Sequence, residues 1–361
     1  MENKETDKTE KPNKNIGVIG GGAFGTAIAR ILALKNMNVS LWCFDPKTAE
    51  DINSHHINSQ FLPDVVLPEN LKATASLHEA ADEKDILFLV TPSSFLLDTT
   101  RQLINIRCIA EGRTIIACLT KGLLTGRDGE PALILDVLEN YLPGFYKNNM
   151  VYVSGPSHAE ELGKGKLTAL VSASTNPLNS IAIREVLSCD FLKVFSSLDV
   201  AGVQVCAAAK NVVAIAFGLI EAYAENSNLV GDNTESFMLA GGLNEMMQLG
   251  KAMGATHSET FTSIAGVGDL DVTCRSIYGR NRRFGREIFT KKLLDNYTDI
   301  HDLAAKATKD LGYLPEGIFA AIAADKVIKR HSLKLPLFQT LIKILNKEEP
   351  IGAAITKLIA N

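Results

Sequence analysis

The stretch Ile16-Gly17-Val18-Ile19-Gly20-Gly21-Gly22-Ala23-Phe24-Gly25 decides the fold. Its first four residues form a short apolar run that reads as a strand covered on both faces, and the glycines that follow open a helical pattern. Gly20, Gly22 and Gly25 fit G-x-G-x-x-G in a strand–turn–helix context. In such a motif the first glycine permits the tight turn. The second lets a pyrophosphate approach the backbone, and the third lets helix pack on strand. Glycines also mark ordinary turns, so the motif needs support. Asp45 supplies it, at the end of a second strand (Leu41-Trp42-Cys43-Phe44-Asp45), where a carboxylate meets an adenine ribose. The loop therefore reads as a dinucleotide site, with Gly20, Gly22, Gly25 and Asp45 as cofactor-binding residues.

Outward from this motif, short β-rich runs alternate with helical patterns as far as about Phe195. Strands are expected at Ile16–Ile19, Val39–Phe44, Ile86–Val90, Thr114–Leu119, Val151–Ser154, Ala169–Ser172 and Leu192–Phe195. Helices are expected between them, including Pro131–Leu142, His158–Gly163 and Pro177–Leu187. Alternating βα units imply a doubly wound parallel sheet of the Rossmann type. After Asp199 the strand signal fades, and helical periodicity runs from Val200–Tyr223 through Pro336–Leu345, including His257–Ile264. The expected fold class is thus α/β, with an all-α C-terminal domain. The expected divisions are a disordered polar tail over 1–14, a dinucleotide-binding domain over 15–197 and a helical substrate domain over 198–361.

Bulk properties narrow the function. A chain of 361 residues with 46% hydrophobic residues supports more than one core. A formal net charge of -4 gives no footprint for nucleic acid or an anionic membrane. The six cysteines at 43, 108, 118, 189, 206 and 274 lack CxxC spacing and read as reduced thiols of a cytoplasmic protein. No histidine spacing suggests a metal site. The apolar run around residue 210 is interrupted by Lys-Asn, so membrane insertion is not expected.

That run, Val205-Cys206-Ala207-Ala208-Ala209-Lys210-Asn211-Val212-Val213-Ala214-Ile215-Ala216-Phe217, contains the second informative feature. Burying a lysine as an ion costs several kcal/mol, so its presence here needs a reason. Desolvation disfavours the ammonium and brings an amine toward proton exchange near neutral pH, which makes Lys210 a general acid/base candidate. A lysine that snorkels to solvent or pairs with a carboxylate is the competing reading. Asp269, in a Gly-rich turn, is the candidate partner, unless it is merely a turn or helix-cap aspartate. Lys121 follows an apolar strand at the carboxyl end of the sheet, where ligands bind. Arg280-Asn281-Arg282-Arg283 offers a phosphate site ahead of a helix, or else a solvated basic turn.

Ser154-Gly155-Pro156-Ser157-His158-Ala159, Lys210-Asn211-Val212-Val213-Ala214-Ile215 and Gly266-Val267-Gly268-Asp269-Leu270 recur here in a familiar order. So do Thr273-Cys274 and Arg280-Asn281-Arg282-Arg283-Phe284-Gly285, with Phe61-Leu62-Pro63, Thr120-Lys121-Gly122 and Pro315-Glu316-Gly317. Together they resemble the NAD(P)-dependent glycerol-3-phosphate dehydrogenase family, bacterial type, over about residues 15–345. The resemblance implies reversible hydride transfer between sn-glycerol 3-phosphate and dihydroxyacetone phosphate, feeding glycerophospholipid synthesis. It implies a proton acceptor at Lys210 and substrate contacts at Lys121, Gly155, Ser157, Asn211, Asp269, Thr273, Gly279, Arg280 and Asn281. Cofactor contacts are implied at Ala23, Phe24, Phe44, Lys121, Ala159, Arg280, Leu314 and Glu316, and a homodimer is the family's expected assembly.

Three positions depart from the family pattern. Gly279 stands where a serine often touches substrate, and Ala23 replaces a common serine. Phe44 stands where histidine or arginine is frequent, which with Asp45 favours NAD over NADP, although Lys47 is close. The alternatives are another two-domain Rossmann hydroxyacid dehydrogenase and a non-catalytic NAD(H) sensor. Retention of Lys210, Asp269 and Arg280 together argues against the sensor.

Overall fold

The computed structural model describes residues 13–225 and 227–360, so most of the expected tail over 1–14 lies outside the described residues. Ten strands are present among the described residues: β1 (Asn15–Ile19), β2 (Asn38–Trp42), β3 (Lys72–Thr74), β4 (Ile86–Leu89), β5 (Ile115–Cys118), β6 (Leu124–Thr125), β7 (Pro131–Ala132), β8 (Val151–Ser154), β9 (Thr168–Ala173) and β10 (Leu192–Ser197). Eight form one sheet in the order β10-β9-β8-β5-β4-β1-β2-β3, and β6 pairs with β7 in a separate hairpin. From β3 to β8 the strands are parallel. The chain winds outward from β1 to β3, then returns to β4 on the other side of β1. This leaves a crevice between β1 and β4 at the carboxyl ends of the strands, where an open α/β sheet binds its ligand.

The sheet is not wholly parallel. β8 and β9 run antiparallel, and β10 then follows β9 in parallel. The connection from β8 to β9 contains only the short helix Ala159–Gly163 and two left-handed glycines, Gly155 (φ 145) and Gly165 (φ 73). A parallel return needs a longer crossover lying across one face of the sheet. The Ala159–Gly163 segment instead packs beside the helix Ala23–Leu34.

Two expected helices are shorter or differently wound. Pro131 and Ala132 belong to the hairpin, and the helix spans only Ile134–Glu139. His257–Ile264 holds a 3-10 turn at Ser258–Thr260, followed by a π turn at Ile264–Gly268. Asp199 takes the Thr256 and His257 N–H groups, which removes them from any regular ladder. The hairpin also ties the two halves together. Leu133 lies within the core of the helical half, and Gln204 accepts the Leu135 N–H at 2.9 Å.

After β10 the fold is helical, centred on Val200–Ala224. Asp199 caps this helix, accepting from the Gly202 N–H at 3.0 Å. Among the described residues it is the one helix long and apolar enough to cross a membrane, yet its most apolar window is wholly buried inside the protein. The helices Asp232–Ala252, Arg280–Thr290 and Glu316–His331 surround it. The Arg280–Thr290 helix approaches most closely because glycines face backbone at the crossing. A Cβ at Gly285 would stand 2.0 Å from the Ile215 carbonyl oxygen, and one at Gly218 would meet the Arg282 carbonyl at the same distance. Gly285→Ala should therefore destabilise the protein by about 1–3 kcal/mol, although alanine is the better helix former by about 1 kcal/mol. Urea unfolding checks this, and an unchanged midpoint would show that the crossing tolerates a methyl group.

Candidate active site

The glycine loop lies at the β1–β4 crevice, and its three motif glycines have different causes. Gly20 has φ 131, and a Cβ there would stand 2.9 Å from the Val90 carbonyl carbon. A Cβ on Gly25 would lie 1.9 Å from the Gly20 carbonyl oxygen. Both positions are dictated by the fold itself. Gly22 is not, since a Cβ there would meet nothing within 4 Å. It begins the helix Ala23–Leu34 without any side-chain cap, leaving helix-end N–H groups facing open space. Thr91, two residues past β4 and against Gly20, adds a buried hydroxyl with no hydrogen-bond partner among the described residues. These features fit a dinucleotide, whose phosphates would lie against the helix end.

Asp45 already has a structural task, capping the helix Pro46–His55 by accepting from the Lys47 N–H at 3.0 Å. Its second oxygen takes no hydrogen bond among the described residues, and the residue is exposed. Phe44 is 87% exposed, set edge-on to Trp42 at the same strand end.

Across the crevice, Lys210 and Lys121 converge on Asp269. Asp269 is the first residue of the helix Asp269–Arg275, so the Gly-rich stretch before it is a helix entry rather than a free turn. Lys210 Nζ donates to Asp269 Oδ1 and, at 2.8 Å, to Thr273 Oγ1. Lys121 Nζ donates to Asp269 Oδ2 at 2.9 Å and to the Gly155 carbonyl at 3.1 Å. Ser154 Oγ adds a contact to Asp269 Oδ2 at 3.3 Å. Thr273 in turn donates to the Asp269 carbonyl at 2.6 Å, one helical turn back. The cluster is thus built from the ends of β5 and β8 on one side and two helices on the other.

Two ammonium groups on one carboxylate give the cluster a net positive charge. In a poorly solvated site the less hydrated amine gives up its proton more readily. Lys210 has a side-chain exposure of 6% and Lys121 one of 19%. Burial, reinforced by the Lys121 charge and opposed by Asp269, lowers the Lys210 pKa to about 7. Burial works against ionisation of Asp269, but the two lysines outweigh it and hold its pKa below the usual range. Burial raises the Glu316 carboxyl, against the pull of Arg280, Lys121 and Lys210. His158 lies 3.4 Å from the Val272 carbonyl, and burial depresses its pKa, with the two lysines adding to the effect. It therefore faces the site as a neutral ring rather than as a base paired to a carboxylate.

Beyond the cluster, Arg280 is exposed at the first position of its helix and makes no side-chain hydrogen bond among the described residues. Its neighbours are committed elsewhere: Arg282 pairs with Glu221, and Arg283 with Glu287. Asn281 Nδ2 donates to Asn211 Oδ1 at 3.0 Å, and Asn281 Oδ1 accepts from the Gly317 N–H at 2.9 Å. Both asparagines therefore stitch three helices together, and Glu316 begins one of them. Gly279 is buried against Thr273, where a Cβ would lie 2.8 Å from the Thr273 carbonyl oxygen, so this backbone leaves no room for a serine. Ser157 Oγ is bonded to the Gly155 carbonyl beside Lys121. Ala23, Phe24, Ala159 and Leu314 are buried or half-buried, with no polar side-chain atom to read a ligand. Ser154 was not singled out from the sequence, although it opens the Ser-Gly-Pro-Ser motif.

Two family models match the chain. The NAD-dependent glycerol-3-phosphate dehydrogenase N-terminus covers residues 15–180 and the corresponding C-terminus covers 199–356. A glycerol-3-phosphate dehydrogenase (NAD(P)+) of Treponema denticola is 50% identical over 341 residues, 93% of this chain and 95% of that protein. The protein of the same name from Treponema pallidum is 46% identical over 93% of this chain and 96% of its own length. Among solved structures, the glycerol-3-phosphate dehydrogenase of Coxiella burnetii superposes with a TM-score of 0.82 at 28% identity, covering 97% of this chain and 99% of that one.

Proposed function

The chain belongs to the NAD-dependent glycerol-3-phosphate dehydrogenase family, and on that premise we propose that Lys210 is its proton-transferring residue. The protein is an NAD(P)-dependent oxidoreductase that interconverts sn-glycerol 3-phosphate and dihydroxyacetone phosphate. One observation carries the catalytic reading: a buried lysine, beside a shared carboxylate, opposite a glycine loop whose second glycine borders open space.

When bound, the dinucleotide supplies the hydride acceptor or donor. The chain's own residues handle the proton. In alcohol oxidation, Lys210 as a free amine takes the proton of the substrate's secondary hydroxyl. In ketone reduction, the Lys210 ammonium polarises the carbonyl and then returns a proton to it. Asp269 holds the amine in place and lets it change charge without leaving the site, while Lys121 keeps the carboxylate ionised. Thr273 fixes the direction of the amine by accepting a hydrogen bond from it.

Arg280 is the proposed phosphate anchor, supported by its exposure, its lack of a side-chain hydrogen bond among the described residues and the helix N-terminus beneath it. Arg280→Ala should raise the KM for dihydroxyacetone phosphate about 10- to 100-fold, the size of a lost hydrogen bond to a charged group, and weaken NADH binding by less, since Arg280 is expected to touch the cofactor as well. An unchanged KM would remove Arg280 from this role. Gly155, Ser157, Asn211, Thr273, Gly279 and Asn281 line or brace the substrate side. Gly20, Gly22, Ala23, Phe24, Gly25, Phe44, Asp45, Ala159, Leu314 and Glu316 make up the cofactor side, and Lys121 and Arg280 serve both sides.

The decisive assay is NADH oxidation with dihydroxyacetone phosphate, compared with unphosphorylated dihydroxyacetone. Turnover that does not depend on the phosphate would reject the reading. In the same assay NADH should outperform NADPH, because the free Asp45 oxygen repels a ribose phosphate and Phe44 supplies no cation. Equal kcat/KM for the two cofactors would overturn that preference. We also read the protein as a cytoplasmic homodimer supplying sn-glycerol 3-phosphate for glycerophospholipid synthesis.

A further inference from the structure

We propose that Asp199, which touches no part of the reaction, is a positioning residue that sets the approach of Lys210 to Asp269. The inference rests on the reading of Lys210 as the proton-transferring group. Asp199 is 3% exposed and pairs with no cation among the described residues, yet five donors converge on its carboxylate. Oδ1 accepts from the Gly202 N–H at 3.0 Å, the Thr256 N–H at 3.0 Å and the Thr256 hydroxyl at 3.3 Å. Oδ2 accepts from the Thr260 hydroxyl at 2.7 Å and the His257 N–H at 3.3 Å.

These donors belong to two different arms of the chain. Gly202 lies in the first turn of the helix that carries Lys210, eleven residues beyond Asp199 and about 16 Å along the axis at 1.5 Å per residue. Thr256, His257 and Thr260 begin the segment that leads to Asp269, nine residues beyond Thr260. The two arms separate at Asp199 and meet again at the Lys210–Asp269 pair, closing a loop.

Neither arm has slack. The first is one continuous helix. The second is pinned at Phe261, whose ring fills the notch at Gly250: a Cβ there would lie 2.2 Å from the ring tip. The Phe261 backbone presses on Gly266, where a Cβ would lie 2.0 Å from the Phe261 carbonyl oxygen. The π turn at Ile264–Gly268 then feeds directly into Asp269. A shift of one arm at Asp199 therefore passes to the amine–carboxylate contact instead of being absorbed between them.

The test is Asp199→Asn, with Thr260→Val as a companion that leaves the Gly202 cap intact and loosens only the second arm. Asparagine places an N–H pair where the carboxylate accepted, so part of the junction must open. Each variant should lose about 10- to 100-fold in kcat, the cost of a small misplacement of a reacting group, with the KM for dihydroxyacetone phosphate and NADH affinity unchanged. The acid-side inflection of kcat/KM for glycerol 3-phosphate oxidation should also move to lower pH, because a loosened Asp269 no longer holds the proton on Lys210. The other titratable groups near Lys210 are Lys121, Glu316, His158 and the buried thiols Cys206 and Cys274, and neither variant replaces them. A purely structural role would lower Tm and leave that inflection in place, which would overturn the proposal. Should Asp199→Asn fail to fold, Thr260→Val decides alone, and wild-type kcat with an unmoved inflection refutes the inference. Absence of phosphate-dependent turnover in the wild type would instead reject the underlying reading of the enzyme.

Discussion

Replacing Lys210 with alanine should lower kcat by about 10²- to 10⁴-fold, the usual contribution of a positioned general acid/base, while NADH still binds. The variant should fold, because Asp269 keeps Lys121 as a partner and the rest of the helix is unchanged. The loss should therefore appear in turnover, not in stability or cofactor affinity. Lys210→Arg separates charge from proton transfer: a guanidinium keeps the positive charge but does not deprotonate in a protein. It should be as inactive in alcohol oxidation as the alanine variant. In the wild type, with the Lys210 pKa lowered to about 7, oxidation should rise as pH passes through that value and then level off. Reduction needs the ammonium and should fall across the same interval. Stopped-flow rates of both directions against pH, with an NADH fluorescence titration, give the readout. A kcat within a few-fold of wild type in Lys210→Ala would dismiss Lys210 as the base.

Local features were legible in the sequence because their causes are local. Gly25 is required by a contact within one strand–turn–helix unit, and Asp199 caps the helix that begins beside it. Gly20 takes the left-handed φ of the same turn, although the backbone that crowds it is that of Val90 just past β4. β3, only three residues long, is too short to show among the expected strands. The parallel direction of β1, β2, β4, β5 and β8 follows from alternating βα units. The antiparallel pairing of β8 and β9 does not, because an apolar run carries no sign of its direction. The hairpin at β6 and β7 was hidden in a helical pattern, since Leu133 serves a core built mainly by residues far along the chain. The site divides in the same way. Lys210 stood out as a charge among alanines, whereas its geometry depends on Asp269, Thr273 and Lys121, brought together from widely separated segments. Ser154 gave no signal of its own, because a serine after a strand is commonplace until a carboxylate arrives from the helical half. Asn211 and Asn281 read as ligand contacts, and the structure shows the bonds they make to each other and to Gly317.

Asp269→Ala should have the opposite signature to Lys210→Ala, costing stability as well as activity. Removal of the carboxylate leaves two amines facing each other across a site where Lys210 is almost fully buried. Breaking a buried ion pair from one side costs about 3–5 kcal/mol, because the partner charge stays behind uncompensated. Lys210 can relieve part of that cost by releasing its proton, since the attraction that opposed deprotonation is gone and the repulsion from Lys121 remains. The sign follows: the inflection for oxidation should move to lower pH, and reduction at neutral pH should lose its proton donor. The stability loss should not carry through to a double variant that also has Lys210→Ala. With Lys210 also removed, one amine remains instead of two, and it sits at the more exposed end of the cluster. The double variant should therefore be more stable than Asp269→Ala alone, an outcome independent contributions cannot produce. Urea unfolding of the two single variants and the double variant measures the coupling. Wild-type stability in Asp269→Ala, or simple additivity across the cycle, would mean that the carboxylate does not hold the two lysines together.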